Sequence, residues 1–356
     1  MPPNEIVEPI LEPDLPIVDA HHHLWFRSPT AAVPKQDMPP ADRALVSIFK
    51  RHSRYLFDEL LGDLQSGHNI RKTVYAEARA MFRTTGPKEL RSVGEIEFAN
   101  GIAAMAASGV FGDILACAGI IGGGVDLTMG NAVAEVLEAH LRAGGSRYRG
   151  LRCMGVYDED PVVMRNAPGV PHILLDPRFR QGFRHLHRYG LSCDIWVFEP
   201  QLPDVTDLAH AFPETAIILN HTCGPLGIGR YAGRREERLP IWRHNMRMLA
   251  ECPNVTIKLG GLGTPAFGFP STFSEEPASS IQLAEEWRPY IGTCIETFGA
   301  DRCMFETNYP VDSTASTYPI VWNAFKRIAS GASPAEKEAL FSGTATRVYR
   351  LEEPSA

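Results

Sequence analysis

Eight short apolar runs punctuate the chain, at 17–20, 73–76, 114–121, 150–154, 191–198, 216–219, 255–259 and 303–305. Most are continuous rather than alternating, as expected for strands covered on both faces. Between most of them lie longer stretches with helical spacing, such as 95–108, 128–142, 241–251 and 280–298. Alternating strand and helix predict a parallel sheet clothed in helices. Eight such units within 356 residues predict one (β/α)8 barrel, a TIM barrel, spanning 1–356 as a single domain. A doubly wound open sheet is the alternative, but no G-x-G-x-x-G follows the first run, which counts against its dinucleotide-binding form. Two segments fall outside the repeating units: 27–69 after strand one, with Pro29, Pro34, Pro39 and Pro40, and 260–277 after strand seven, rich in Gly, Pro and Phe. Both follow strand ends, where barrel enzymes build their sites, so they are expected as long loops, either lids over the barrel mouth or simple surface insertions.

Composition narrows the function classes. Hydrophobic residues make up 44% and charged residues 22%, ordinary values for a globular chain. The formal net charge of −7 argues against non-specific nucleic-acid binding, which depends on neutralising phosphates. No apolar run reaches 18 residues, so no membrane span is expected, and the acidic, proline-rich start has no signal-peptide pattern. The seven cysteines are odd in number and form no C-x-x-C, which weighs against a disulfide framework or zinc ribbon and for a reducing, cytoplasmic setting. Homo-oligomer formation is left open.

The strongest chemical signal is Asp19-Ala20-His21-His22-His23-Leu24-Trp25. On an extended chain i and i+2 share a side, so His21 and His23 can converge on one ion or substrate while His22 points away. Arg184-His185-Leu186-His187 has the same spacing but lies in a helical pattern, where i and i+2 diverge, and is expected to be structural. Gly122-Gly123-Gly124 lacks the Lys-Ser/Thr of a P-loop and is expected to be a turn. Alternation places Ile195, Val197 and Glu199 on one side of strand five, Ile217, Leu219 and His221 on one side of strand six, and Glu306 with Asn308 on strand eight. Lys258 on strand seven and Glu77 at the end of strand two need partners if they face the interior, either each other or Glu306. Arg152 can clamp a substrate carboxylate or pair with a neighbouring carboxylate.

The D-x-H-x-H opening resembles the amidohydrolase superfamily. More specifically, the chain resembles its amidohydrolase-2 group of TIM-barrel hydrolases, whose relatives include sugar-lactone and pyrone-dicarboxylate lactonases. The resemblance runs over 15–351. It includes Gly150-Leu151-Arg152, Leu219-Asn220-His221, Lys258-Leu259-Gly260-Gly261 and Glu306-Thr307-Asn308-Tyr309-Pro310, with the closing helix near 343–349. Two positions depart from the family pattern. Glu199 stands where a strand-five histidine is expected, and Asn308 stands where relatives carry a catalytic aspartate; an amide cannot act as a base.

The resemblance implies a divalent metal, zinc being the expected ion, held by His21, His23 and Glu199 with an open position; metal-free catalysis is the alternative. His221 is then a fourth ligand or a free base, Asp312 a second candidate base, and Lys258 an oxyanion donor. Asn308 belongs to the same catalytic group. Arg152, Glu77, Trp25 and Tyr309 are the candidate substrate contacts, and Phe267, Phe269, Phe273 and Trp287 hint at an aromatic mouth. The expected activity is hydrolysis of a lactone or related cyclic ester, the partner a small lactone or carboxylate. A metal-dependent non-oxidative decarboxylase and a catalytically silent ligand-binding barrel are the alternatives.

Overall fold

The structure is a computed structural model that describes residues 7–27, 38–164 and 169–351. Its eight barrel strands are β1 (Ile17–His22), β2 (Ile70–Ala76), β3 (Leu115–Gly122), β4 (Tyr148–Met154), β5 (Ser192–Trp196), β6 (Ile217–Leu219), β7 (Val255–Gly260) and β8 (Cys303–Glu306). Each is hydrogen-bonded in parallel to the next in chain order. The β8–β1 seam is closed by a parallel bridge between His22 and Tyr309, and by Asp19, which accepts from the Thr307 N–H (3.0 Å) and hydroxyl (2.6 Å). This is the expected (β/α)8 barrel, and every predicted apolar run falls on a strand.

The helices follow their sequence signals. The helix Ser280–Phe298 starts at a Ser279–Gln282 capping box, with each side chain bonded to the other's backbone N–H. The 128–142 pattern is broken at Gly130 (φ 61°), where any Cβ would meet the Gln181 side chain, so the helix runs only over Val133–Gly144. Between sheet and helices lies an apolar shell. Inside the barrel, Val18, Ala20, Val74, Ile121, Ile218 and Met304 form a plug sealed by Tyr349 and Leu351 from the closing segment. All seven cysteines are buried and unpaired, as expected of small apolar side chains. Among the described residues no helix is long and apolar enough to cross a membrane.

The first excursion is more ordered than a proline-rich loop. It holds α1 (Pro40–Arg51), with Pro40 at the first helical position, a two-stranded ribbon of Trp25–Phe26 with Arg54–Tyr55, and α2 (Phe57–Leu64). Pro29 and Pro34 lie outside the described residues. Helix α1 packs on the turns of the strand-seven loop (Pro265–Phe267 and Pro270–Phe273) and on the turn after β8 (Val311–Thr314). The two excursions therefore meet over the mouth of the barrel.

Candidate active site

The interior of the barrel decides which strand residues reach the mouth. Asp194 of β5 and Lys258 of β7 meet at 2.7 Å across β6, so the inward face of β5 carries Asp194 and that of β6 carries Ile218. This corrects the alternation expected for both strands: Ile195, Val197, Ile217 and Leu219 pack outward against the helices. Glu199, expected as a metal ligand, follows that outward face. Its carboxylate is buried against Arg238 of the helix Arg235–Ala250 and takes no part in the histidine cluster. His221 reaches the mouth by a different route. Residues 221–223 adopt left-handed backbone conformations (φ 56°, 49° and 60°), which turn the chain back over the barrel. Gly261 (φ 67°) makes room for it, since a Cβ there would lie 2.1 Å from His221 Nδ1.

On β1 the register shifts between Asp19 and His22. Val18 and Ala20 face the inner plug, yet His21 and His23 also turn inward, with their Nε2 atoms 3.2 Å apart. His22 points away, to the Thr73 hydroxyl (2.8 Å). Glu306 and Asn308 complete the cluster. Glu306 Oε1 accepts from the His221 backbone N–H (2.7 Å) and from His221 Nδ1–H (2.9 Å). His221 Nε2 is then left as an acceptor, and it takes a hydrogen bond from Arg152 Nη2 at 2.8 Å. His23 Nδ1–H donates to the Ala76 carbonyl (3.0 Å), which leaves a lone pair on Nε2, facing Asn308 Oδ1 at 3.1 Å. Asn308 is oriented by its Nδ2, which donates to Asp312 (2.8 Å).

Burial keeps all three histidines neutral. It pushes His21 and His23 well below the ordinary histidine range, and the Lys258 and Arg152 cations push the same way. Burial also lowers His221, opposed by its contact with Glu306. Burial alone would raise Glu306, but His221 and Lys258 hold its carboxyl below the ordinary value. Asp312 is raised well above the carboxylate range by burial, against its bonds from the Gly263 N–H and Asn308.

The His21 Nε2–H donates to His23 Nε2 (3.2 Å), but two other acceptor pairs meet with no proton between them. His21 Nδ1, which accepts from Lys258 Nζ at 3.2 Å, lies 2.9 Å from Glu306 Oε2, and that oxygen has no hydrogen-bond partner. Among the described residues, His21, His221 and Glu306 form a group able to hold a metal ion, their ligand atoms all within 4.8 Å of one another. Two nitrogens and one carboxylate oxygen suit zinc.

Above the cluster lies a cavity of about 230 Å³, lined by His23, Arg152, His221 and Asn308 on its polar side and by Phe49, Trp196 and Phe198 among its apolar walls. Helix α1 roofs it with Ala41, Asp42, Leu45 and Phe49. Arg152 lies on β4 itself, 8% exposed, with its guanidinium 5.2 Å from the Trp196 ring centre and 3.8 Å from Glu77. Several expected contacts lie elsewhere. The Trp25 indole donates to the His52 carbonyl (2.6 Å), and the Tyr309 hydroxyl to the Ser316 carbonyl (3.1 Å). Neither lines the cavity, because both are spent bracing the first excursion and the seam. Phe267, Phe269 and Trp287 are core residues and Phe273 is half-exposed, so the aromatic mouth is built from other residues. Asp312 sits behind Asn308. Lys258 pairs with Asp194 rather than with Glu77 or Glu306. Sequence reasoning missed Asp194 and Trp196; a lone acid in an apolar strand was the available signal for Asp194, while nothing distinguished Trp196 from core packing.

Several known proteins resemble the chain. The chain is 32% identical over 340 residues, 95% of its length and 99% of the relative's, to the uncharacterized protein y4mH of Sinorhizobium fredii. It is 33% identical over 181 residues, 51% of this chain and 58% of the relative, to an L-fucono-1,5-lactonase of Burkholderia multivorans. Among solved structures, an amidohydrolase of Burkholderia multivorans with bound zinc superposes with a TM-score of 0.69 at 24% identity, covering 94% of this chain and 99% of that one. A 2,6-dihydroxybenzoate decarboxylase shares the fold with a TM-score of 0.55 at 12% identity, covering 94% and 98%. With the profile of the amidohydrolase family matching residues 18–351, almost the whole barrel described above, the chain belongs to that family.

Proposed function

We propose that this amidohydrolase opens a lactone or related cyclic carboxylic ester in the cavity above His221. The observation that carries the reading is the pairing of His221 Nε2 with Arg152. A neutral imidazole, its other nitrogen held by Glu306, presents a lone pair 2.8 Å from a guanidinium at the wall of the cavity. A bound ring carbonyl takes over the Arg152 N–H. His221 Nε2 is then free to accept a proton from water as the water attacks the carbonyl carbon. Arg152 holds the oxyanion, the interaction that usually contributes most. Collapse breaks the ring C–O bond, and His221 returns the proton to the leaving alkoxide, giving a hydroxy acid. A divalent ion held by His21, His221 and Glu306, zinc being the expected one, would take the His221 lone pair and would supply Lewis-acid activation in place of this base.

Decarboxylation needs an acid that reaches the substrate carbon. The candidate with the raised pKa, Asp312, is turned toward Asn308 and Gly263 instead. The test is proton release on a panel of lactones and aromatic acids, with and without added zinc. Ring opening is expected. CO2 release would replace the reading with the decarboxylase, and binding without turnover would replace it with a silent barrel.

A further inference from the structure

Arg152 lines two cavities. Beyond it, between the ends of β2, β3 and β4, lies a second space of about 420 Å³ whose walls include Glu77, Arg79, Met154, Val170 and Phe179. The first cavity is smaller than the roughly 300 Å³ at which ligand pockets usually begin, so it suits a small ring and little more.

The charges of the second cavity are unevenly matched. Arg152 faces Glu77, and the other oxygen of Glu77 accepts the Arg79 backbone N–H (3.1 Å). Asp126, on the same rim, turns its carboxylate to the Thr128 N–H (2.9 Å) and hydroxyl (2.6 Å). The Arg79 guanidinium, in contrast, pairs with no carboxylate among the described residues; its polar contact is the Met154 thioether at 3.0 Å. Its backbone is also held in the left-handed region (φ 53°), an unfavourable conformation for a non-glycine residue. Val170, 57% exposed, and Phe179 offer apolar surface beside it.

We infer that the substrate is a ring bearing an extended arm, with the ring over His221, an apolar stem passing Arg152 into the second cavity, and an anionic end at Arg79. The ring part rests on the function proposed above; the arm site stands on its own geometry. An arginine fork is suited to a carboxylate, and a stem of a few methylenes matches the apolar wall.

The test uses three lactones: the bare ring, the ring with an alkyl arm ending in methyl, and the same arm ending in carboxylate. In the native chain, the carboxylate-ended substrate is expected to exceed the methyl-ended one in kcat/KM by about fivefold, the worth of an exposed ion pair. Arg79→Gln is expected to erase that margin and leave the other two substrates unchanged. Equal rates on both arms in the native chain, or a margin that survives in Arg79→Gln, overturn the inference while leaving lactone hydrolysis intact. If no lactone is opened, the proposed function fails, and calorimetry with the ring-opened hydroxy acids decides the arm site by itself. Weaker binding of the carboxylate-ended acid by Arg79→Gln sustains it, and unchanged binding overturns it.

Discussion

Two buried polar layers lie one above the other in this barrel, and they are built to opposite ends. In the lower layer Asp194 meets Lys258 at 2.7 Å, both Tyr349 hydroxyl contacts at 3.0 Å and Asn220 Nδ2 at 2.9 Å. The donors there all find acceptors; Asn220 Oδ1 alone is left over. In the upper layer two oxygens lack donors: Asn308 Oδ1 faces His23 Nε2, which already accepts from His21, and Glu306 Oε2 faces His21 Nδ1, which already accepts from Lys258. Buried polar groups are normally satisfied, so a layer that is not satisfied from within is completed by something from outside. The lower layer is architecture, and the upper one is prepared for an ion or a substrate.

The largest contrast should come from truncating one residue in each layer. His221→Ala is expected to lower kcat/KM for lactone opening by roughly 10²–10⁴, the usual worth of a positioned general base, and to keep its fold. Glu306 Oε1 still accepts the backbone N–H of residue 221. Steady-state kinetics beside a denaturation curve would check it; a loss of fold in step with activity would make His221 part of the architecture. Lys258→Met should act first on stability, although it also removes the donor to His21 Nδ1. It strands the fully buried Asp194 carboxylate, at a cost of about 3–5 kcal/mol. Adding Asp194→Leu should recover most of that in urea unfolding, since an apolar pair can replace a buried ion pair. A double variant no more stable than the single one would refute the pairing argument.

Much of this was legible in the sequence. Eight apolar runs were enough for the barrel, because a strand covered on both faces has to be apolar throughout. That His21 and His23 converge was legible from their spacing, although of the two only His21, not the expected His23, belongs to the group able to hold a metal. The faces of β5 and β6 were not. Alternation gives two sides without saying which is inside, and the choice was made by Asp194, which had to reach Lys258 across the barrel. Nor could spacing show that His221 returns to the site through three consecutive left-handed residues. Asn308 was found from the family pattern, but its tie to Asp312 arises only from the fold of the turn after β8.

A carboxylate outside the barrel gives an intermediate case. Asp63 accepts one bond, from the Tyr55 hydroxyl (2.6 Å), and burial raises its pKa to about 6 from 3.8. A raised acid is favourable below its unfolded pKa, and that contribution is lost as the pH rises through the folded pKa. Near pH 7 and above, the ionised Asp63 therefore costs about 2–3 kcal/mol. Asp63→Asn should stabilise the chain by that order at pH 8 and by progressively less toward pH 4.5. A stability difference that does not vary with pH would show that the carboxylate is not the titrating group.

The smallest expected effect bears on Glu199, the residue that the family pattern placed at the metal. Its carboxylate is committed to Arg238, itself only partly exposed, on the outer side of β5. Gln can still accept from that guanidinium, so Glu199→Gln should cost only about 1 kcal/mol in urea unfolding. In a zinc titration Glu199→Gln should bind as the native chain does, while His21→Ala should lose the ion. If Glu199→Gln lost zinc as completely as His21→Ala, the outward face of β5 would have to turn inward when the ion binds. The division between a satisfied layer and an open one would then describe only one state of the barrel.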